Sequence, residues 1–571
     1  MKKILCSVLI ALLIPAMSWA ACTSSTPDYA TLNACVAAAD RNATITVSAG
    51  DGTETWSNTI TLSKGVSIVG PGRDNIEITL NGVFFIISPD STAINNNETI
   101  KISGFTFNGN NSTNVLIQVY GAGPTSTYPF RKLVITNNRF KNMNTVSSGS
   151  GAINSRGQVR GVVAGNIFDR CNTIWKVMGN DSVTEWTNGN FPFSYGSEDN
   201  LYFENNTILW SSSFTSYEAG WIETGQGGRA VIRYNSFDFS NTIDYELLDT
   251  HGFQNWYTPD SGQTGQMISE YYGNTVTNTQ NQGGSSVFFV HRGSWLLAHN
   301  NLVTGTTNVL PAQIRQYELG CDNLWPSGGS WRTGEINNSY IFNTTVNGND
   351  RPWVVNQAYC GVTANVDYFS YNANCTSSAC SSGIGKGTSA PTGNCTTGTG
   401  YWVTSNTSPT VNPSIIQSST FYKCTSTNVW TSYYTPYEYP HPLASGATPP
   451  TDTTPPVIDN LSPSGVQACA ITPDTPIFRS LSTDENADCY SNKTPGVTTY
   501  AQMVTLGDHF DVTSGTLHQE WDDEPCGTTI VYNVACRNGA GLESTAQISF
   551  SIASPGIAGP GGVRFTGGSR R

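Results

Sequence analysis

Residues 134–140 read VITNNRF, and five later stretches repeat that grammar: VVAGNIF (162–168), YFENNTI (202–208), VIRYNSF (231–237), EYYGNTV (270–276) and LAHNNLV (297–303). In each, an Asn follows a short extended run and stands two places before an apolar residue. Asn138, Asn166, Asn206, Asn235, Asn274 and Asn301 fall in register, at spacings of 28, 40, 29, 39 and 27 residues. Such spacings fit repeated supersecondary units and exceed any helical or heptad period. Alternation of β-branched or aromatic residues with polar ones, broken at the Asn, predicts strand, tight turn, strand. Asn tolerates the left-handed backbone a tight turn needs, and its amide both donates and accepts, so stacked copies predict an Asn ladder. A helical solenoid would place apolar residues three and four apart, which these stretches lack. Strands of an ordinary β-sandwich would not keep one register over six copies.

The composition suits an exported β-protein: of 571 residues only 12% are charged, 56 are Gly and 11% are aromatic. Residues 1–20 predict a cleaved signal peptide, with Lys2 and Lys3, an apolar stretch, and Ser18 and Ala20 before the cut. This implies a secreted or cell-surface protein. No other apolar run reaches the roughly 18 residues that span a bilayer. A net charge of −13 without a basic stripe excludes nucleic acid as a natural partner. Fourteen Cys with no CxxC spacing point to disulfides. Sequence neighbours suggest Cys22 with Cys35, Cys321 with Cys360, Cys375 with Cys380 and Cys395 with Cys424. Two further bridges lie among Cys469, Cys489, Cys526 and Cys536. Cys171 is left as the lone thiol of the mature chain.

Outward from the repeats, Asp28 to Asp40 places Tyr29, Leu32, Val36 and Ala39 on one helical face, which predicts a short cap over the solenoid's open end. From Thr44 to Leu80, short strands alternate with AGDG, SKG and GPGRD turns. The order of cap helix, VSAGDGTETWSNTITLSKGVSIVGPG and Asn-turn coils resembles secreted right-handed parallel β-helix proteins of the pectate-lyase-like superfamily. GGRAVIRYNSF, LLDTHG, EYYGNTV, HRGSWLLAHNNLV, YIFNTTVNG and STFYKCTSTNVWTSYYTPYEYPHPL resemble a bacterial group within it. The resemblance covers roughly residues 25 to 443. It implies an all-β fold, a right-handed parallel β-helix over 21–443. Residues 444–456 form a Pro/Thr linker, and 457–553 predict a small β-sandwich, with a disordered Gly-rich tail over 554–571. TDENADCY, YAQM, TSGTLH and YNVACRNGAG resemble fibronectin type III-like modules, a pattern that implies a Cys489–Cys536 bridge across the sandwich.

The uneven ladder spacing locates the chemistry. Two steps exceed their neighbours by about 11 residues, which predicts loops within 172–200 and 241–267 walling one groove. They carry Trp175, Trp186, Phe191, Phe193, Tyr195, Trp256 and Tyr257, and coil segments nearby add Trp210, Tyr217 and Trp221. Aromatic faces bind the apolar C–H faces of sugar rings, so Trp186, Trp221, Trp256 and Tyr257, with Arg229, are candidate glycan-binding residues; the plainer reading packs the aromatics under the loops. Coils stack at about 4.8 Å, which brings DYELLDTHG (244–252) beside Glu223 and Arg229 of one coil and His291 and Arg292 of another. Asp249, His251, Arg292 and Glu223 are the catalytic candidates. His251 as base with Arg292 on a uronate carboxylate suits a polysaccharide lyase; Asp249 with Glu223 or Glu246 suits a glycoside hydrolase. His251 before Gly252 is equally a turn cap, and Asp244 with Glu246 a calcium site. The Arg-x-Pro-x-x-Arg signature of pectate lyases is absent. Of the polygalacturonase motifs only Thr250-His251-Gly252 remains. The expectation is a monomeric, secreted protein engaging a polysaccharide or cell-surface glycan, as an enzyme on an acidic glycan. A carbohydrate-binding adhesin and a structural extracellular component are the alternatives.

Overall fold

The computed structural model describes residues 22–80, 82–112, 115–121, 129–143, 151–179, 195–209, 221–238, 246–251, 266–278, 287–305, 310–316, 336–358, 362–444, 455–469, 474–510, 515–538 and 542–554. The signal peptide, nearly all of the linker and tail, Asp244, Trp186, Phe191, Phe193, Trp210, Tyr217, Trp256, Tyr257, Cys321 and Cys360 lie outside the described residues. Glu246 and Trp221 are described as strand positions only. The chain divides into two compact units, Met1–Pro450 and Thr451–Arg571.

Each coil of the first unit gives one strand to each of three stacked sheets, of 12, 11 and 10 strands among the described residues. One coil runs Phe130–Thr136 in the first sheet, Arg139–Met143 in the second and Ile153–Arg156 in the third, and the next opens with Val159–Ala164. Neighbouring strands are parallel almost throughout. The first unit is therefore a parallel β-helix. Its interior is built by period-two alternation, which sends every second side chain inward. The residue two places after each repeat Asn forms one column, Phe140, Phe168, Ile208, Phe237, Val276 and Val303, all fully buried. Phe140 stacks on Phe107 at 5.5 Å and on Phe168 at 5.1 Å.

The ladder runs unbroken between the first and second sheets. Nδ2 of Asn138, Asn166, Asn206, Asn235 and Asn274 donates to Oδ1 of the next Asn at 3.0–3.2 Å. Each receiving Oδ1 also accepts the backbone N–H of the donor Asn. The left-handed backbone, however, belongs to the residue before each ladder Asn: φ is 56° at Asn137, 65° at Gly165, 54° at Asn205, 55° at Tyr234, 68° at Gly273 and 51° at Asn300. The turn and the ladder are thus two jobs on two residues. The ladder Asn is buried because its amide replaces water for backbone groups at the corner.

The helix Tyr29–Ala38 closes one end, with the Asp28 side chain accepting from Thr31 N–H at 2.9 Å as its N-cap. Leu32, Val36 and Ala39 are buried, and Tyr29 meets Trp56 edge-on at 6.2 Å. At the other end the chain folds back over the outer face of the first sheet. There Ile416 and Ala444, with Tyr437 and Leu443, pack against Val134, Val162, Tyr202, Val231 and Tyr272. Beneath this return segment Arg233 and Glu204 form a wholly buried ion pair, Nε to Oε2 at 2.8 Å. Arg233 also donates to the carbonyls of Tyr437 (2.6 Å) and Glu438 (2.7 Å), while Glu204 accepts His441 N–H at 2.8 Å.

The second unit is antiparallel apart from one parallel pair. The long strand Asp474–Asn492 pairs with Gly515–Pro525 along its first half and with Thr529–Asn538 along its second, so it is shared between two layers. Ile477, Leu481, Cys489, Phe510, Tyr532 and Phe550 fill the space between. Cys489 bonds Cys536, but not across the sandwich: the two are direct register partners on neighbouring strands, with Cα atoms 4.1 Å apart. Cys469–Cys526, Cys22–Cys35, Cys375–Cys380 and Cys395–Cys424 are the other disulfides among the described residues. Cys171 is a free, buried thiol whose pKa burial pushes up. No described helix is long and apolar enough to cross a membrane.

Candidate functional site

The third sheet positions the candidate residues. Its register aligns Trp175, Ile222 and Leu248 inward and Lys176, Glu223 and Asp249 outward, one above another on three consecutive coils. The Lys176 ammonium pairs with Glu223 Oε2. Glu223 Oε1 lies 3.3 Å from His251 Nε2, and the same nitrogen lies 3.0 Å from Asp249 Oδ2. Arg292 Nη2 then reaches Asp249 Oδ2 at 2.7 Å. Charges therefore alternate along one line across four coils, with an imidazole between two carboxylates and a cation at either end. Every member is buried or nearly so; Asp249 is 0% exposed and His251 9%.

His251, Asp249, Glu223 and Arg292 are brought together, while two neighbours are not. His291 points into the solenoid, its ring nitrogens 2.8 Å from Thr250 Oγ1 and 2.8 Å from Ser339 Oγ. Burial lowers its pKa to about 3, which keeps it neutral. Arg229 opens the strand Arg229–Arg233 and, with Arg160 two coils before it, lines a small cleft. Ser155, Gly157, Gly179 and Gly228 contribute to its walls. A Cβ at Gly228 would stand 2.3 Å from the Val177 carbonyl oxygen, so only glycine lets the turn lie this close. The cleft begins where the strands carrying Lys176 and Glu223 end, at Met178 and Gly225.

The inserted blocks are shorter than the 172–200 and 241–267 that the sequence suggests. Thr173–Met178 and Glu246–Thr250 are solenoid strands, so the excess is confined to 179–200 and 251–267. Trp175 is accordingly a core residue, fully buried against Phe203 at 5.2 Å, and not a groove aromatic. Tyr195 is likewise packed, beside Trp295 and Tyr434, with its hydroxyl donating to the Asn338 carbonyl at 3.0 Å. A third long connection, 317–338, leaves the third sheet two coils on, whereas 157–158, 226–228 and 292–294 are short turns. Long and short connections alternate. Lys176 and Arg160 carry no motif. The signal in the sequence was positional: Lys176 is the only ionisable residue of TIWKVM, 47 residues before Glu223.

The described end of the first long connection is held by Glu270, which accepts from Gly196 N–H at 2.7 Å and Asn200 Nδ2 at 3.2 Å. Burial outweighs these bonds and the Tyr434 hydroxyl, raising its pKa from 4.5 to about 7. The native state therefore holds a proton that the unfolded chain has released between those values. Its stabilising contribution is complete below pH 4.5 and lost as pH rises through 7, about 3 kcal/mol in all. Thermal melts from pH 5 to 8 should show this decline in the wild type and a flatter profile in Glu270→Gln; parallel profiles would refute it.

Among the described residues no group of three or more His, Cys, Asp or Glu side chains is arranged to hold a metal ion. Lys176 and Arg292 occupy the positions beside the carboxylates where a cation would sit. Compared with family models, with curated proteins and with solved structures, the chain finds no match.

Proposed function

We propose that this parallel β-helix cleaves an acidic glycan by β-elimination, with His251 as the base. The observation that carries the reading is the convergence of Glu223 and Asp249 on one His251 nitrogen, flanked by Lys176 and Arg292. Two carboxylates on one ring nitrogen fix the orientation of the imidazole and leave its other nitrogen to face a substrate. In the reaction, the imidazole takes the proton alpha to a uronate carboxylate, the C–O bond at the beta position breaks as the double bond forms, and the departing oxygen is protonated by the imidazolium or by water. The enolate-like charge that develops is met by cations, for which Arg292 and Lys176 of the cluster and Arg229 and Arg160 of the cleft are the candidates. The two acids lean on the same nitrogen and do not face each other across an open gap, which favours elimination over hydrolysis by a carboxylate pair. Export by the signal peptide, kinship with the pectate-lyase-like superfamily and the fibronectin type III-like character of the second unit belong to the same proposal.

Incubation with a panel of uronate polymers should raise ultraviolet absorbance from new double bonds. His251→Ala should lower that rate by roughly 10²-fold or more, with Glu223→Gln and Arg292→Gln also impaired. New reducing ends without new double bonds would point to hydrolysis. Retention of a polymer without either product would point to a binding surface, and silence across the panel would sink the reading.

A further inference from the structure

Trp521 is 63% exposed on the strand Gly515–Pro525 of the second unit. Its register partner is Phe478, and the two rings lie 4.9 Å apart, tilted by 49°. Alternation explains why they face out. Ile477, Arg479 and Leu481 point inward and are buried, as are His518, Glu520 and Glu524 on the partner strand. An ion pair lies inside: Arg479 Nη2 lies 2.7 Å from Glu520 Oε2, and the guanidinium covers the Tyr532 ring at 3.7 Å. The outer face continues as Ser480 opposite Gln519 and Pro476 opposite Asp523, all exposed or half-exposed. An aromatic pair thus stands on the outer face of the sheet with hydrogen-bonding groups on both sides.

Nothing in the folding of the unit requires an exposed Trp, the residue type with the largest apolar surface. A stable protein partner would need roughly 800 Å² of surface with an apolar centre. Two rings bordered at once by Gln519, Ser480 and Asp523 are too small for that, and match one or two sugar rings. The apolar C–H face of a pyranose stacks on such rings, while its hydroxyls reach an amide, a hydroxyl and a carboxylate acceptor. Asp523 beside the ring pair repels a carboxylate or sulfate, so the sugar is uncharged. We propose that the Phe478–Trp521 face binds an uncharged polysaccharide by stacking, as a second glycan site independent of the His251 cluster.

The test is co-sedimentation of the full chain with insoluble cellulose, chitin and starch, with calcium-gelled polygalacturonate as the charged comparator. At least one neutral polymer should retain the protein. Trp521→Ala should weaken retention about tenfold, the loss of one stacked ring, and Phe478→Ala should weaken it less. Val466→Ala, 74% exposed elsewhere on the unit, should leave it unchanged. Retention of Trp521→Ala at the wild-type level, or retention by polygalacturonate alone, would overturn the proposal, as would no retention by any neutral polymer. Concentration-dependent self-association abolished by Trp521→Ala would also overturn it, by assigning the face to a second copy of the chain. Lyase activity does not enter this assay, so its outcome is separable from that of the cleavage panel.

Discussion

Arg233→Met is expected to destabilise the first unit by about 3–5 kcal/mol. The substitution roughly conserves volume and leaves Glu204 charged, buried and without its ion partner. It also strands the Tyr437 and Glu438 carbonyls, which accept from the guanidinium. The return segment over the first sheet should therefore loosen first, visible as faster hydrogen exchange through 434–444. Adding Glu204→Gln should recover part of the loss, because a neutral amide oxygen can still accept His441 N–H. Equal stability of the single and double variants would show that the buried charge is not the cause.

Asn206→Ala is expected to cost a further-reaching 3–5 kcal/mol, on the order of two or three buried groups left unsatisfied plus a small void. Its Oδ1 accepts both N–H and Nδ2 of Asn166, and its Nδ2 donates to the Val163 carbonyl and to Asn235 Oδ1. Asn138→Ala should cost less. Upstream, the Asn138 oxygen serves only the backbone N–H of Phe105. Denaturant titration of both variants checks the order; equal losses would mean that the cost comes from the turn and not from the ladder.

The fold was legible because its signal is periodic. Six copies in one register give strand, corner and core column together, and the stacking of coils places Glu223, Asp249, His251 and Arg292 within reach of one another, though not Arg229 and His291 with them. What failed was whatever the period does not encode. The left-handed residue lies one place before the Asn, and Tyr234 hides it, since a Tyr carries none of the turn preference of Asn or Gly. Spacing also measures a whole coil, without saying which corner holds the excess, so it assigns to a loop Trp175, which fills the core. The Asn repeat reports amides alone and stops at Asn301, yet the ladder passes on to the Thr344 hydroxyl at 3.3 Å, 43 residues later. That omission concealed the third long connection. The Arg233–Glu204 pair meets residues more than 200 positions away, a distance no local pattern reports.

The passage from Asn301 to Thr344 gives the stack a direction and an end. Every amide in the ladder hands its proton toward the C-terminus, so the row is a chain of aligned dipoles that needs an acceptor without an amide of its own to hand onward. A hydroxyl is that acceptor: Thr344 receives from Asn301 and gives its own proton to the Phe342 carbonyl at 3.5 Å. The chain thus carries a chemical full stop where the repeat ceases. A rod built this way would be extended by moving that threonine outward, coil by coil, and truncated by bringing it in.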